Sequence, residues 1–232
     1  HTLNSMMFDI LVLRHPHSGA AHFATQILTC PVINAGDGTH AHPMQALTDI
    51  FTMRQTLGQI LGLNVVIIGD ILHSRVARSN MWGLTKLGAT VTLCGPPSFM
   101  PNQHDLSLFF NKNTHPRSSI QIETSLNKAV EKADIIMPLR IQKERTSNVD
   151  QSFLSAYKKH YRITKKTLSL AHKNVYIMHP GPVNEGVELL GEIAYSDKSL
   201  IFDQVHNGVA IKMAVLEMLR SKQKERGTPH KQ

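Results

Sequence analysis

The sequence predicts a doubly wound α/β fold, in which helices cover both faces of a parallel β-sheet. Short apolar runs rich in β-branched residues alternate along the 232 residues with longer amphipathic stretches. The apolar runs are nearly continuous, which is typical of strands that are buried on both faces. Strands and helices take turns along the chain, as the crossover connections of a parallel sheet require.

The same patterns give the position of each element. The predicted strands are Ile10–Leu13, Val65–Ile68, Thr90–Leu93, Ile120–Ile122, Ile135–Met137 and Val175–Met178. The predicted helices are Ser18–Leu28, Pro43–Leu57, Ser74–Leu87, Thr124–Glu131, Gln151–Tyr157, Thr164–Ala171 and Val205–Leu219. Pro43 and Gly58 are expected to begin and end the second of these helices, because proline favours the first helical turn and glycine the residue after the last.

A fresh strand–helix–strand unit begins beyond Gly58, so a domain boundary is predicted near residue 57. The first domain then covers residues 1–57 and the second residues 58–203, each built on a doubly wound parallel sheet. A helix over residues 204–222 follows, and the basic residues 223–232 are expected to be a disordered tail. An apolar stripe on this helix predicts the face that packs on a core. The stripe consists of Val205, Val209, Met213 and Leu216.

Composition argues against nucleic acid and membranes as partners. The formal net charge is +8, but aromatic residues make up only 6% of the chain and do not interleave with the basic stretches. Such interleaving is typical of surfaces that bind single-stranded nucleic acid. No apolar stretch approaches the length of a membrane span, and the first residues lack the pattern of a secretory signal. We therefore expect a cytoplasmic protein in which Cys30 and Cys94 are buried, reduced thiols.

Arginines follow several of the predicted strands. In a doubly wound sheet the carboxyl ends of the strands lie at one edge, where ligands bind. Arg14, Arg75 and Arg140 each lie at or just past a strand end, and the turn His179–Pro182 follows another strand. A guanidinium group can bind a carboxylate or phosphate through two parallel hydrogen bonds. Three of them at equivalent ends predict a site for a polyanionic ligand, or for two anionic ligands together.

His42 and Gln45 flank the start of the helix that Pro43 opens. Backbone N–H groups and the helix dipole favour an anion at this position. A neutral imidazole here can also donate a hydrogen bond to a carbonyl oxygen that gains negative charge.

Two further segments belong to the predicted site. Gln142 and Glu144 follow Arg140, and the Glu144 carboxylate is placed to hold that arginine. Gly181 and Pro182 lie in a rigid turn whose backbone carbonyls can accept hydrogen bonds from an amine. A solvated charged loop and a simple tight turn are the alternatives for these two segments.

A metal site is the competing interpretation of the histidines. His40 and His42 have the His-x-His spacing that zinc hydrolases use, and the chain has 14 histidines. Such sites need further histidine and aspartate ligands at later strand ends, and the sequence does not supply a matching set. The pair alone is weak evidence. No metal is therefore predicted, and a metal hydrolase stays as a rival hypothesis.

Six segments carry a resemblance to a known family. They are VLRHPHSGAAHF, GDGTHAHPMQAL, GDILHSRVARS, LRIQKER, MHPGPVNEGVE and QVHNGVAIKMAVL. In this order they resemble the consecutive motifs of aspartate carbamoyltransferase catalytic chains of the bacterial type. The resemblance implies the carbamoyltransferase fold and transfer of the carbamoyl group from carbamoyl phosphate to L-aspartate, a reaction of de novo pyrimidine biosynthesis. It implies no cofactor.

The resemblance also implies a role for each candidate residue. Carbamoyl phosphate would be bound by Arg14, His42, Gln45, Gly181 and Pro182, of which Arg14 and His42 are the catalytic pair. Aspartate would be bound by Arg75, Arg140 and Gln142, with Glu144 bracing Arg140. Homotrimers, alone or in larger assemblies with dihydroorotase or regulatory chains, are implied as well.

This sequence departs from the family pattern in two ways. The Ser-Thr-Arg-Thr phosphate-binding segment and a later lysine-bearing loop lie upstream in complete chains, and neither occurs in these residues. We therefore expect residues 1–57 to be the C-terminal part of an incomplete carbamoyl phosphate domain, ahead of an aspartate domain over residues 58–203. Glu185 stands where relatives commonly carry arginine. A noncatalytic structural or regulatory subunit is the alternative. Ornithine carbamoyltransferase is disfavoured, since its members typically carry His-Cys-Leu-Pro in place of His179–Pro182.

Overall fold

The computed structural model describes residues 1–102, 104–106, 114–141 and 150–227, with side chains through residue 222. Strands β1 to β7 are Leu11–His15, Val32–Asp37, Asn64–Ile68, Thr90–Cys94, Ser119–Glu123, Ile135–Pro138 and Tyr176–Ile177. Helices α1 to α9 are Thr2–Ser5, Ala20–Ile27, Pro43–Leu57, Arg75–Lys86, Leu126–Val130, Gln151–Tyr161, Lys165–Leu168, Gly191–Ala194 and Ile201–Gly227. A short 3-10 helix spans Pro97–Phe99. No helix in the described parts of the chain is long and apolar enough to cross a bilayer.

Five parallel strands form the main sheet, in the order β5-β4-β3-β6-β7. Successive residues of a strand point to opposite faces of its sheet. In β3, Val65 and Ile67 therefore join one buried cluster, whereas Val66 and Ile68 join the cluster on the other face. The predicted α/β fold class, with a parallel sheet covered on both faces, is confirmed.

The strand order places a crevice beside β3. From β3 the chain moves outward through β4 to β5 and then returns to β6 on the other side of β3. The segments that follow β3 and β6 diverge at this reversal, and a crevice opens at the carboxyl ends of the two strands. Arg75 and Arg140 follow these two strands.

A smaller parallel pair, β1 and β2, precedes the main sheet. Strand β2 was not among the predicted strands, because its apolar run ends after the first two residues of Val32–Asp37. The four-residue helices α1 and α8 were also missed, since one helical turn is too short to show a hydrophobic period.

Helix α3 connects the two sheets. Its bounds, Pro43–Leu57, match the prediction, and Gly58 ends it with a φ of 82°. Met53 of this helix is fully buried in the core of the main sheet. The helix therefore packs against the second predicted domain although it lies within the first, and the domain boundary near residue 57 stays a prediction.

The apolar stripe that was predicted to pack on a core lies on an exposed face of α9 in the described part of the chain. Val205 is 67% exposed and Met213 65% exposed, and the other two residues of the stripe are exposed too. The face that packs against α3 instead carries the buried polar residues Gln204 and Asn207. Polar partners on α3 therefore set the rotation of α9. A hydrophobic period cannot reveal such partners.

Helix α9 is also longer than predicted. It begins at Ile201 rather than at residue 204, and its backbone is helical through Gly227. The expected start of the helix and the expected disorder of residues 223–227 are therefore wrong. The remaining tail residues, 228–232, lie outside the described part of the chain.

The two cysteines differ in their surroundings. Cys94, at the end of β4, is buried, and burial raises the pKa of its thiol to about 12. Cys30 is only half-buried, in the loop between α2 and β2, so the expectation that it is buried is wrong. Both are free thiols.

The core of the main sheet can be tested with two leucines near the end of α4. Leu84 is fully buried, whereas Leu87 is 44% exposed. Leu84→Ala is expected to lower the free energy of unfolding by roughly 2–5 kcal/mol, because it leaves a cavity in a close-packed core. Leu87→Ala, the control, should change it by about 0.5 kcal/mol or less. Urea unfolding gives both values, and equal losses for the two variants would contradict this packing.

Candidate active site

A cavity of about 390 Å³ lies at the carboxyl ends of β3 and β6. Segments from both sheets and from the turn after β7 surround it. Its lining residues are Arg14, His42, Gln45, Ser74, Arg75, Val76, Leu139, Arg140, Pro180, Gly181 and Pro182. The structure thus brings together every candidate residue that lies in the described part of the chain. Their individual roles stay predictions.

Arg75 is the first residue of α4 and is 8% exposed. The Ser74 hydroxyl caps this helix by accepting a hydrogen bond from the backbone N–H of Ala77 at 3.1 Å. The guanidinium of Arg75 extends over the loop after β2, where its Nη1 donates to the carbonyl of Gly38 at 3.4 Å. A Cβ atom on Gly36 would lie 2.9 Å from the guanidinium carbon, so any other residue there would push the Arg75 side chain aside.

The cavity is strongly positive. Arg14 lines it from β1, and Arg140 lines it from the segment after β6. None of the described lining residues is acidic. Helices α3 and α4 also begin at the cavity, and their first turns carry no acidic residue. Positive side chains and helix N-termini together favour negatively charged ligands.

His42 is placed to donate a hydrogen bond without carrying a charge. Its backbone N–H donates to the Ser79 hydroxyl at 2.8 Å, and its buried Nδ1 has no partner among the described residues. Burial lowers the pKa of the ring to about 4, with further lowering by the positive charges of Arg75, Arg14 and Lys212. The imidazole is therefore neutral at neutral pH.

Gln45 lies one turn into α3, with its amide between the cavity and the protein interior. Its Nε2 donates to Oδ1 of Asp49 at 2.7 Å. No described residue donates to its Oε1, which leaves that oxygen available to the cavity.

The turn after β7 is held in place by three hydrogen bonds. The backbone N–H of His179 donates to Gln204 Oε1 at 2.8 Å, and that of Gly181 to His179 Nδ1 at 2.9 Å. The N–H of Asn184 donates to Glu188 Oε1 at 2.7 Å. Gly181 has a φ of 68°, and the peptide bond to Pro182 is cis. This is the rigid turn that the two prolines predict.

Some residues differ from the expected site. Gln142 and Glu144 lie outside the described residues. Glu185 is exposed and accepts a hydrogen bond from the Tyr195 hydroxyl at 2.6 Å, and it does not line the cavity. Lys212 was missed by the sequence analysis, although its position in the QVHNGVAIKMAVL segment gave a signal for it.

The two histidines of the His-x-His pair have separate environments. Nδ1 of His40 lies 3.0 Å from Asp37 Oδ2, and its side chain is about half exposed. His42 faces the arginine-lined cavity instead. Across the described ranges, no three histidine, cysteine, aspartate or glutamate residues are grouped as metal ligands.

Fold and cavity together define an α/β protein with a positively charged cavity at a sheet edge, and comparisons with known proteins identify the family. Residues 61–219 match the Asp/Orn-binding domain of aspartate/ornithine carbamoyltransferase, and residues 1–55 match its carbamoyl-P-binding domain. The aspartate carbamoyltransferase catalytic subunit of Roseiflexus sp. (strain RS-1) is 49% identical over 94% of this chain and 66% of its own length. That of Chloroflexus aggregans is 47% identical over 93% of this chain and 68% of its own length.

Solved structures agree with this assignment. Aspartate transcarbamoylase from Trypanosoma cruzi in complex with carbamoyl phosphate has a TM-score of 0.82 and 29% identity, and the match covers 93% of this chain and 67% of that one. Ornithine carbamoyltransferase from Pyrococcus furiosus has a TM-score of 0.82 and 27% identity, over 92% and 67% of the two chains. The chain belongs to the aspartate/ornithine carbamoyltransferase family. It spans about two thirds of the length of its relatives.

Titration of the His42 ring tests the electrostatics of the cavity. We expect an NMR midpoint near pH 4. Arg75→Gln should raise it, because one of the nearby positive charges is lost. Arg78→Gln, on the same helix but lining a separate cavity, should leave it unchanged.

The folded-state pKa of His42 lies below the unfolded value of 6.5, so the stability that this ring contributes is lost as the pH falls from 6.5 toward 4. A wild-type midpoint at 6.5 would contradict the arrangement.

Proposed function

We propose that this chain transfers the carbamoyl group of carbamoyl phosphate to the amino group of L-aspartate, giving N-carbamoyl-L-aspartate and phosphate. The observation that carries the proposal is the convergence of Arg14, Arg75 and Arg140 on one cavity beside a neutral His42, with no acidic residue in its described lining. The relatives with the names reported above support it.

The carbamoyl phosphate half of the site uses residues from the first sheet and α3. Arg14 binds the phosphate and the carbonyl region, and His42 donates to the carbonyl oxygen. Gln45 and the carbonyls of Gly181 and Pro182 accept from the carbamoyl N–H₂. All of these residues line the same cavity of about 390 Å³, which supports a single binding site for the molecule.

The proposed reaction uses only the groups of the two substrates. The lone pair of the neutral aspartate amine attacks the carbamoyl carbon, and the C=O π electrons move to the oxygen. His42 and Arg14 stabilise this negative charge; loss of one such donor typically costs about 2.7–4 kcal/mol of barrier. Collapse reforms the carbonyl and breaks the C–O bond to phosphate, which leaves with the electron pair and accepts the amine proton. Holding two anions together in attack geometry supplies further acceleration.

Aspartate fits the second half of the site better than ornithine. Aspartate has two carboxylates, and Arg75 and Arg140 provide one guanidinium for each. Ornithine would attack through its side-chain amine, so its single carboxylate and its cationic α-ammonium group would face the two arginines, which would repel the ammonium. The fold alone does not separate the two, because enzymes of both names match it equally well.

Other parts of the proposal rest on the family resemblance. Gln142 is proposed to contact aspartate, and Glu144 to brace Arg140. The homotrimer, larger assemblies with dihydroorotase or regulatory chains, the cytoplasmic location and the place in pyrimidine biosynthesis stay predictions. A noncatalytic structural or regulatory subunit stays the alternative.

An assay of the natural gene product that contains these residues decides between the alternatives. Carbamoyl phosphate is mixed with aspartate, and carbamoyl aspartate is measured, with ornithine in a parallel reaction. Product from aspartate supports the proposal. Product from ornithine alone would mean that the protein catalyses the ornithine reaction instead. No product from either, with a folded protein, would favour the noncatalytic subunit.

Arg140→Ala separates the two substrates. We expect the aspartate KM to rise by about tenfold to a hundredfold, because a hydrogen bond to a charged group contributes roughly 1.5–3 kcal/mol. The carbamoyl phosphate KM should change far less. Arg140→Lys should recover only part of the loss, since lysine lacks the planar fork. Arg117→Ala, an exposed arginine before β5, serves as the control. Equal effects on both substrates would refute the assigned role.

A further inference from the structure

A buried carboxylate lies directly beneath the proposed carbamoyl site. Asp49 is fully buried on α3, one turn after Gln45. Its Oδ1 accepts hydrogen bonds from Gln45 Nε2 and from Gln204 Nε2, both at 2.7 Å. Its Oδ2 accepts one from Asn80 Nδ2, also at 2.7 Å. These three amides come from α3, α9 and α4, so one carboxylate connects three helices.

The chemistry of a carboxylate sets the orientation of these amides. An ionised carboxylate only accepts hydrogen bonds, so each amide must turn its NH₂ group toward Asp49. Burial raises the pKa of Asp49, and the amide N–H bonds counteract this by stabilising the ionised form. Asn80 shows how strong the requirement is. Its Nδ2 faces Asp49 while its buried Oδ1 has no partner among the described residues.

Orientation of the NH₂ groups determines where the amide oxygens point. Because Nε2 of Gln45 donates its hydrogen bond to Asp49, Oε1 is the amide atom left for the cavity. With Nε2 of Gln204 donated to Asp49, its Oε1 accepts from the backbone N–H of His179 and holds the turn to Pro182. Both acceptors for a carbamoyl N–H₂, the Gln45 oxygen and the turn carbonyls, thus depend on Asp49.

We propose that Asp49 is a positioning residue for the carbamoyl group, which makes Gln45 present its oxygen, rather than its NH₂, to the carbamoyl N–H₂. The inference rests on the proposed function for the identity of that ligand. Its geometric part, that Asp49 fixes the Gln45 amide, is independent of the reaction. A purely structural Asp49 would affect stability without selecting between the two substrates.

Asp49→Asn keeps the shape of the side chain and replaces one acceptor with a donor. Because asparagine has one accepting oxygen in place of two, the NH₂ groups of Gln45, Gln204 and Asn80 can no longer all donate to it. The Gln45 amide thereby loses the charged acceptor that fixes its orientation, and its NH₂ can turn toward the carbamoyl NH₂. We expect the carbamoyl phosphate KM to rise by about tenfold or more, because one hydrogen bond to the ligand is lost and a donor is left unpaired. The aspartate KM should change less than about twofold. Equal changes in both KM values would overturn the proposal.

Thr52→Val is the matched control. Thr52 is fully buried one turn further along α3, where its Oγ1 donates to the Thr48 carbonyl and accepts from Asn207 of α9. Its replacement loses buried hydrogen bonds between the same helices but leaves Gln45 in place. It should lower the melting temperature without changing either KM. A rise in the carbamoyl phosphate KM equal to that of Asp49→Asn would mean that Asp49 acts only through stability.

A double-variant cycle tests whether Asp49 acts through Gln45. If it does, Gln45→Ala should raise the carbamoyl phosphate KM strongly in the wild type and by less than about twofold in the Asp49→Asn background. Independent, multiplying effects of the two changes would contradict the proposal.

A ligand-free measurement on the wild type keeps the inference testable if Asp49→Asn does not fold or if the proposed function fails. The side-chain NH₂ signal of Gln45, assigned by its loss in Gln45→Ala, should exchange slowly with water. Rapid exchange would overturn the inference whatever the activity. Slow exchange in a protein that forms no carbamoyl aspartate would support the role of Asp49 and refute the reaction.

Discussion

The carboxylate of Asp49 holds together the three helices on which the cavity depends. Helix α3 carries His42 and Gln45, α4 begins with Arg75, and α9 supports the turn after β7 through Gln204. These elements come from distant parts of the chain. A buried charge contributes to stability only when it is fully hydrogen-bonded, so the three amide bonds to Asp49 require the helices to meet in one arrangement. The relative position of His42, Gln45, Arg75 and the turn after β7 follows from that requirement.

The second constraint is the concentration of positive charge. Arginines from three segments face one small volume, and they repel one another when no anion is bound. The low pKa of His42 results from burial, and this positive field lowers it further. In the proposed reaction the same field offsets the repulsion between two anionic substrates. Because the His42 ring is neutral before the reaction begins, it can donate a hydrogen bond to the developing oxyanion. A positively charged ring would instead compete with the arginines for the phosphate.

Much of the fold could be predicted from the sequence. The central strands β3 and β6 contain continuous apolar runs, and the bounds of α3 follow from Pro43 and Gly58. The arginines could be predicted to meet, because parallel strands have their carboxyl ends at one edge. The packing face of α9 could not be predicted. Two adjacent stripes on that helix have a helical period, and the buried one contains Gln204 and Asn207, whose partners lie about 150 residues earlier in the chain.

The role of Asp49 was also invisible at the sequence level. Nothing in MQALTDIF indicates that the aspartate is buried, because it needs donors from α4 and α9 that only the fold brings close. Short apolar patterns report burial well, whereas polar networks depend on distant residues. The site residues at strand ends were therefore accessible to sequence reasoning, and the groups that orient them were not.

The close approach of Arg75 to Gly36 has a consequence for the cavity. The guanidinium lies 2.9 Å from the position that a Cβ atom on residue 36 would take, which is too close for an unstrained contact. Even an alanine there would displace the arginine and so mimic a defect in Arg75, although position 36 is not among the lining residues. A substitution at this glycine should therefore alter the cavity through Arg75 although the glycine itself does not line it.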